Sequence, residues 1–504
     1  MWTKWLHGVI LLIYLESPYL LQLDVRNNMN VLNHTRLHQK YFEELSKIPR
    51  ASFQEKQCAD YLVDFANKHH LTYVRDKIDN VLIYKPGSPG YEDHEPVLLQ
   101  GHMDMVCEKV PGCTHDFDKD PISLYIDNGI LRAHGTTLGA DNGVGCAYML
   151  AVLAMELPHP PLECAFTACE EVGLLGALAL KAEYFKATRC INLDFGGGGV
   201  STCVTSAGGE VVNLKKEVSS SACANHAYRM VVCGLKGGHS GSCIHLERGN
   251  AIKLCARILK KLSDCGTFRI VSVNGGTGNN AIARECEAIF TSSASEKEIR
   301  SIFESMRTKL RHELSVPEPG FETLLERTEA VSAFTEGFSR DLLNLMFLLP
   351  TGVRHKSLHF DHLPIASENL ASVCCIDHQV EFQYSLRANK ASFMEMMETE
   401  LHIFAQSYGM DFRVYNQYPS WEYKENSKLR ETLCSVFRAR RGTDMSIVAT
   451  HGGLECGIFS HLLPGLDIVT LGAATANVHT PEEQLDLASF DWSFELLTDV
   501  LKEL

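Results

Sequence analysis

The chain has 504 residues, of which 45% are hydrophobic and 22% are charged, and its net charge is −15. That length predicts two or more hydrophobic cores, and the composition is typical of a globular protein. The excess of acidic residues argues against a nucleic acid or an anionic membrane as a partner. The 18 cysteines are scattered without C-x-x-C pairs, which argues against a zinc ribbon and predicts reduced thiols.

Residues 1–29 are predicted to be an N-terminal extension ahead of the globular part. Their apolar run from Trp5 to Leu15 is too short to cross a bilayer as a helix, so we expect no stable membrane span. The run could be the apolar part of a signal peptide, but no clear small-x-small cleavage site follows it. We therefore expect a cytoplasmic protein. Secretion is the alternative, if residues 1 to about 22 act as a signal peptide.

The first part of the chain alternates between predicted strands and helices. Ser52 to Glu55 match a capping box at the start of a helix. The later segments are strands at 80–84, 96–100, 162–168 and 189–194, and helices at 143–157 and 173–185. This alternation predicts an α/β fold, a mixed and mostly parallel sheet with helices on both faces.

The pattern changes near Ser206 and reverts near residue 418. Between them, strand-like segments with half-buried alternation lie next to amphipathic helices, which predicts an α+β sandwich. A buried strand at 466–472 and a final helix at 489–504 then resume the first pattern. The order predicts one catalytic domain made of residues 30–206 and 418–504, split by an inserted domain at residues 207–417.

Two histidines and several acids follow the predicted strands. Because sites in open parallel sheets form beyond the carboxyl ends of the strands, these side chains are expected at one rim. They are His102, Asp104, Asp141, Glu170, Glu171, Asp194 and His479. Each has a structural explanation on its own, such as a helix cap for Asp141 or a complement to a helix dipole for the glutamates. Their conjunction favours a site.

The side-chain types indicate metal chemistry. Histidine and carboxylate ligands suit zinc, and the number of acids exceeds what one tetrahedral zinc needs, which favours two metal ions about 3.5–4 Å apart. Asp141, in a turn bracketed by glycines, could bridge both ions. Of the adjacent Glu170 and Glu171, one could bind metal while the other takes a proton from water. Asp104 is close enough in sequence to orient the ring of His102.

Several motifs together carry a family resemblance. They include "VLLQGHMDMV", "GTTLGADNGVG", "EEVGLLGA", "INLD", "GLKGGHSG", "NGGTGNNAIARE", "HGGLECG" and "VHTPEEQ", spread over residues 32–504. In combination they resemble the di-zinc aminoacylase/peptidase superfamily and, within it, its dipeptidases. The resemblance implies two Zn²⁺ per chain, with Co²⁺ or Mn²⁺ as alternatives.

The resemblance also implies roles for single residues. His102 and Asp194 would hold one zinc, Glu171 and His479 the other. Asp141 would bridge them, and Glu170 would be the general base. In the inserted domain, His239 would polarise the substrate carbonyl, and this domain would be a lid that mediates a homodimer. The residues that would help to bind the substrate termini are Asn280, Arg387 and Glu455.

The implied function is hydrolysis of dipeptides with broad specificity, including Xaa-His dipeptides. A metal-bridging hydroxide would attack the peptide carbonyl, with Glu170 as base. Two alternatives stay open: an N-acyl-amino-acid deacylase on the same fold, and a metal-free relative that only binds. A nucleotide-binding enzyme is excluded, because neither G-x-G-x-x-G nor a P-loop occurs at the first strand–helix turn.

Overall fold

The computed structural model describes residues 30–223, 226–376 and 378–504. The predicted N-terminal extension and its apolar run lie outside these ranges. Within them, no helix combines the length and the apolar character that a membrane crossing requires.

Eleven α-helices form in the described residues. They are α1 (Leu37–Leu45), α2 (Lys56–Lys68), α3 (Ala140–Ala154), α4 (Leu175–Ala179), α5 (Ala251–Ser263), α6 (Glu296–Glu313), α7 (Glu336–Leu348), α8 (Ala391–Tyr408), α9 (Lys428–Arg441), α10 (Cys456–Leu462) and α11 (Leu487–Glu503). Short 3-10 turns lie at Ala182–Tyr184 and Ile244–Leu246.

The strands of the described residues form five sheets. They are β1 (Thr72–Arg75), β2 (Val81–Lys85), β3 (Val97–His102), β4 (Leu124–Asp127), β5 (Ile130–Ala133), β6 (Leu162–Thr167), β7 (Arg189–Asn192), β8 (Ser201–Cys203), β9 (Gly208–Glu217), β10 (Ser220–Ala222), β11 (His226–Cys233), β12 (Phe268–Gly275), β13 (Cys286–Ser292), β14 (Glu322–Glu329), β15 (Ser332–Phe334), β16 (Gly352–Lys356), β17 (Pro364–Ile376), β18 (Gln379–Ala388), β19 (Asp411–Tyr418), β20 (Ser446–Val448), β21 (Asp467–Thr470), β22 (Thr475–Ala476) and β23 (Gln484–Asp486).

The central sheet has six strands in the order β1-β2-β6-β3-β7-β21. β3 is parallel to both β6 and β7, and β7 is parallel to β21. Only β2 runs against the others, antiparallel to β1 and to β6. The prediction of a mixed, mostly parallel sheet is confirmed.

Both faces of the central sheet are buried. On β3, Val97 and Leu99 point into one core, shared with α1, α3, α9 and α11, while Leu98 points into a second core with α4 and α10. This two-sided burial explains why the central strands read as continuous apolar runs rather than alternating ones. Helices therefore cover both faces, as predicted.

The second large sheet has nine strands, and all its pairings are antiparallel. Its order is β14-β11-β13-β12-β17-β18-β9-β19, with β16 added beside β17. Helices α5 to α8 pack against it around a separate core. The expected α+β unit is present, whereas the exact domain boundaries at 206/207 and 417/418 stay a prediction.

Two local predictions were wrong. The capping box at Ser52 does not form, because α2 begins at Lys56 without a side-chain cap and the Ser52 hydroxyl donates to Asp104 instead. The helix predicted over 173–185 is confined to α4 and a 3-10 turn. Leu180 is extended between them and is buried with Phe185 in the second core, so tertiary burial overrides the helical pattern.

Candidate metal centre

The carboxyl ends of the parallel strands bring the predicted site residues to one edge. His102 is the last residue of β3, Glu170 and Glu171 follow β6, and Asp194 follows β7. His479 lies on the loop beyond β21 and β22. Because parallel strands end at the same side of a sheet, residues far apart in sequence become neighbours.

The first group of possible metal ligands consists of His102, Asp141 and Asp194. The Nε2 atom of His102 lies 3.1 Å from Asp141 Oδ1 and 3.8 Å from Asp194 Oδ1. On the other side of the ring, Nδ1 donates to the main-chain carbonyl of Asp104 at 3.1 Å. The Nδ1 tautomer leaves the Nε2 lone pair facing the two carboxylates, which suits a metal ligand.

The second group consists of Asp141, Glu171 and His479 and shares Asp141 with the first. His479 Nε2 lies 3.2 Å from Asp141 Oδ2 and 3.0 Å from Glu171 Oε1. The two oxygens of Asp141 thus face the two histidines separately. The ligand atoms in each group lie within 4.8 Å of one another, and Glu170 meets the same limit with His102 and Glu171.

These separations fit bound divalent cations. Ligand atoms around a tetrahedral zinc with bonds of about 2.1 Å are about 3.4 Å apart, close to the distances within both groups. Glu171 Oε1 is buried and has no hydrogen bond, even though His479 Nε2 is 3.0 Å away. One imidazole N–H cannot serve both Glu171 and Asp141, whereas a cation between them would satisfy every lone pair.

The protonation balance of the metal-free side chains also reflects an excess of acids. Burial and the charge of Asp141 hold the pKa of Asp194 well above its usual range. The nearby carboxylates of Asp141 and Glu171 raise the pKa of His479 to about 10. Burial disfavours the charged form of His102, but the surrounding carboxylates outweigh burial and raise its pKa well above the usual range. The carboxylates thus recruit positive charge, which metal ions would supply.

The hydrogen bonds at the start of α3 explain why the carboxylate of Asp141 is free to face both histidines. A carboxylate from elsewhere, that of Glu483, accepts the N–H groups of Ala140 and Asp141 at 2.9 and 3.2 Å. The side chain of Asn142 accepts the N–H of Gly145 at 2.7 Å. Because these partners cap the first turn, the carboxylate of Asp141 does not, and it points to the histidines.

Asp104 lies beneath the site and is fully buried. Its carboxylate accepts the N–H groups of Glu170 and Glu171 at 3.0 and 3.2 Å, and the hydroxyl of Ser52 at 2.8 Å. His102 Nδ1 is 3.4 Å from Asp104 Oδ1. Asp104 therefore ties the end of β3 to the loop that carries both glutamates.

A cavity of about 300 Å³ opens over both groups. Of the seven acids and histidines predicted at this rim, its wall includes Asp141, Glu170, Glu171, Asp194 and His479. The rest of the wall is small or apolar: Ala140, Asn142, Val144, Leu193, Phe195, Gly196, Gly453, Leu454, Gly472, Ala473, Thr475 and Val478.

Three other predicted site residues, His239, Asn280 and Arg387, are neighbours. Arg387 is on β18 of the nine-stranded sheet, and His239 and Asn280 lie on the segments that follow β11 and β12. Asn280 accepts the N–H of Ser240 through its main-chain carbonyl, next to His239. His239 Nδ1 accepts the N–H groups of Gly241 and Ser242, both at 3.2 Å, so the neutral ring carries its proton on Nε2. That Nε2 lies 3.5 Å from Arg387 Nη2, and desolvation together with the Arg387 charge lowers the pKa of His239 to about 4.

Glu455 differs from the other predicted substrate-binding residues. It is fully buried, and its carboxylate accepts hydrogen bonds from Gln100 and from Thr167, the latter at 2.8 Å. It is not part of the cavity wall. Burial raises the pKa of Glu455 to about 7. The structure thus places Glu455 beneath the strand ends, and its role in binding the substrate stays a prediction.

The residues that sequence reasoning missed are the supports of the site. Arg50, Ser52, Asn142 and Glu483 bind the segments that carry the ligands, but none follows a predicted strand. Glu483 and Asn142 had a signal, because they lie in the "VHTPEEQ" and "GTTLGADNGVG" motifs.

Residues 98–503 match the sequence profile described as Peptidase family M20/M25/M40. The match covers most of the chain, in agreement with the two-domain fold and the paired ligand groups. The chain belongs to this family and is a peptidase.

Individual relatives are similar over nearly the whole chain. The cytosol non-specific dipeptidase of Escherichia coli is 34% identical over 467 residues, which cover 92% of this chain and 96% of that protein. The structure of an aminoacylhistidine dipeptidase from Vibrio alginolyticus superimposes with a TM-score of 0.83 at 30% identity, covering 93% of this chain and 96% of that one. Aminopeptidase PepT from Bacillus cereus, at 17% identity and a TM-score of 0.54 over 94% and 99%, shares the fold.

Proposed function

We propose that this protein is a di-zinc dipeptidase. The observation that carries the proposal is the pair of ligand groups that share Asp141 at the mouth of one cavity. The chain that holds them is 34% identical to a non-specific dipeptidase from end to end of that protein.

Five residues would hold the metal ions. His102 and Asp194 would bind one ion, Glu171 and His479 the other, and Asp141 both, which leaves each ion an open position as in catalytic zinc sites. When bound, the ions would polarise the peptide carbonyl and lower the pKa of water. Zinc is proposed because its ligands are histidines and carboxylates, a set that Co²⁺ and Mn²⁺ also accept.

Glu170 would transfer the protons. In this proposal its carboxylate takes a proton from the attacking water and passes it to the leaving amine. Its position beside Glu171 supports this role, because the same loop then fixes both the base and a ligand. Asp104 would fix the positions of this loop and of the His102 ring relative to each other.

His239 and Arg387 would act from the inserted domain. The Nε2–H of His239 would donate to the substrate carbonyl oxygen, where negative charge develops. Arg387 would bind the substrate carboxylate, assisted by Asn280. Glu455 would contribute indirectly, through Gln100 and Thr167.

The charges of the cavity are compatible with a free amino terminus. Its wall includes four acids but no lysine or arginine among the residues that the structure describes. Two divalent cations would bring four positive charges, equal to the charge of Asp141, Glu170, Glu171 and Asp194, so an ammonium group would meet no excess of positive charge. The volume of about 300 Å³ also suits a small peptide.

A dipeptide panel tests the proposal. Purified protein is loaded with Zn²⁺, Co²⁺ or Mn²⁺ and given dipeptides, Xaa-His pairs among them, together with their N-acetylated forms. We expect turnover of the free dipeptides and little of the acetylated ones. Preference for the acetylated forms would overturn the dipeptidase proposal in favour of a deacylase. A content of less than about one metal ion per chain, not restored by added metal, would support the metal-free relative that only binds.

The assembly and the location belong to the same proposal. We propose a cytosolic homodimer that forms through the inserted domain, residues 207–417. The name of the Escherichia coli relative supports the location. Sedimentation of the full chain tests the assembly, where a monomer at micromolar concentration would contradict it.

A further inference from the structure

Glu483 is a buried carboxylate that makes an unusually complete set of contacts. Its Oε2 accepts the N–H groups of Leu138 and Gly139 at 2.7 and 2.9 Å. Its Oε1 accepts those of Ala140 and Asp141 at 2.9 and 3.2 Å. Only 2% of the residue is exposed. Four consecutive N–H groups thus converge on one side chain, including two that begin α3.

Arg50 binds the same segment from its carbonyl side. Its Nη2 donates to the carbonyl of Gly139 at 2.6 Å, and its Nη1 donates to the carbonyls of Met103 and Asp104 at 2.9 and 3.1 Å. Arg50 is also buried. The turn before Asp141 is therefore held between a carboxylate and a guanidinium, and the latter connects it to the end of β3.

Glu483 also lies on the loop that carries His479, four residues further along the chain. Its contacts join that loop to the turn before Asp141. The two segments contribute the two side chains that meet at 3.2 Å through His479 Nε2 and Asp141 Oδ2. A change at Glu483 would therefore alter the distance between the side chains of His479 and Asp141 without changing either side chain.

We propose that Glu483 is a positioning residue that sets the bridging carboxylate of Asp141 against His479, with Arg50 as its counterpart. This role rests on the proposed metal site. Hydrogen bonds to a charged acceptor are about twice as strong as neutral ones, so four of them restrict the turn closely. Loss of a partner that orients a ligand costs about 10–100-fold in metal affinity.

The test is a Co²⁺ titration of metal-free protein, followed by visible absorption. Glu483→Gln keeps the size of the side chain, but its NH₂ group would face two of the four N–H groups. We expect Co²⁺ to bind Glu483→Gln about 10–100-fold more weakly and with an altered spectrum. Glu482→Gln is the matched control, since Glu482 is the exposed neighbour and loses the same charge. It should bind as the wild type does.

The outcomes separate this proposal from the proposed function. If the wild type binds no Co²⁺, the metal site itself is wrong. If the wild type binds and Glu483→Gln matches it in affinity and spectrum, only the positioning role is overturned. Far-UV circular dichroism verifies that the variant folds. If Glu483→Gln does not fold, Glu483→Asp replaces it, since this variant keeps the charge but has a shorter side chain. Weaker Co²⁺ binding by Glu483→Asp supports the positioning role, and unchanged Co²⁺ binding overturns it.

Discussion

At the scale of single residues, the site depends on which side chain caps a helix. An aspartate at the start of α3 would ordinarily accept the free N–H groups of the first turn. Here Glu483 and Asn142 accept them instead. The carboxylate of Asp141 consequently keeps both oxygens for the two histidines.

Glu170 provides a direct test at this scale. We expect Glu170→Gln to bind two metal ions like the wild type and to lose about 10²–10⁴-fold in kcat, because a general base contributes about that much. Metal content by elemental analysis and steady-state dipeptide hydrolysis measure the two effects. Glu156→Gln, at an exposed position on the same domain, is the control. Activity near that of the wild type would remove Glu170 as the base.

At the scale of elements, the turn into α3 requires glycine at residue 139. Gly139 has φ +69°, and a Cβ there would lie 2.8 Å from the sulfur of Met105 and against the guanidinium of Arg50. Overpacking of this kind costs about 1–3 kcal/mol, in addition to the cost of the left-handed backbone.

We therefore expect Gly139→Ala to lower the thermal unfolding midpoint more than Gly409→Ala does. Gly409 has φ +61° but open space around it, so its substitution carries the backbone cost alone. Equal shifts of the two midpoints would show that the contact with Arg50 and Met105 yields without strain.

Glu368 on β17 makes the stability of the inserted domain depend on pH. Burial raises its pKa from 4.5 to about 7, despite the ion pair with Arg354. The folded chain thus retains a proton between pH 4.5 and 7 that the unfolded chain releases, so this residue lowers stability as pH rises through that window.

Glu368→Gln should remove that loss. Between pH 5 and pH 8, the free energy of unfolding of Glu368→Gln should increase relative to that of the wild type by an amount on the order of 1 kcal/mol or more. Arg354 also pairs with Glu400 at 2.8 Å, so it would keep that partner in the variant. Glu395→Gln, at an exposed position of α8, is the control, and its free energy of unfolding should change with pH as that of the wild type does. If the free energy of unfolding of Glu368→Gln also changes with pH as that of the wild type does, the assigned protonation of Glu368 is contradicted.

At the scale of the whole molecule, the two large sheets position different sets of predicted site residues. The candidate metal ligands lie at the carboxyl edge of the mostly parallel sheet, whereas Arg387 lies on the antiparallel sheet and His239 and Asn280 on segments between its strands. In the proposed function, both sets must meet the substrate.

His239→Ala tests that requirement. We expect unchanged metal content and a fall in kcat of about 10²-fold or more, with a smaller change in KM, since an oxyanion donor acts mainly in the transition state. His312→Ala is the control, because His312 is an exposed histidine on α6, a helix that packs against the same antiparallel sheet. Unchanged kinetics in His239→Ala would mean that the inserted domain does not complete the site.

The sequence by itself determined the fold class and the groups that gather at the strand ends. Alternation of strands and helices predicts the parallel sheet, and a parallel sheet places everything that follows its strands at one edge. His102, Glu171 and Asp194 could be found for that reason alone. Local patterns do not reveal where a helix stops when a distant core decides it, as at Leu180.

Only the tertiary structure decided how the ligands are held. Arg50 and Ser52 precede Asp104, which they bind, by 54 and 52 positions, and Glu483 follows Ala140 by 343 positions. Hydrogen bonds of a buried carboxylate to main-chain N–H groups depend on backbone position and not on the identity of the residues that donate, so the sequence does not reveal which N–H groups Glu483 binds. The same limit applies to Glu455, whose environment is fixed by two strands that meet only in the folded chain.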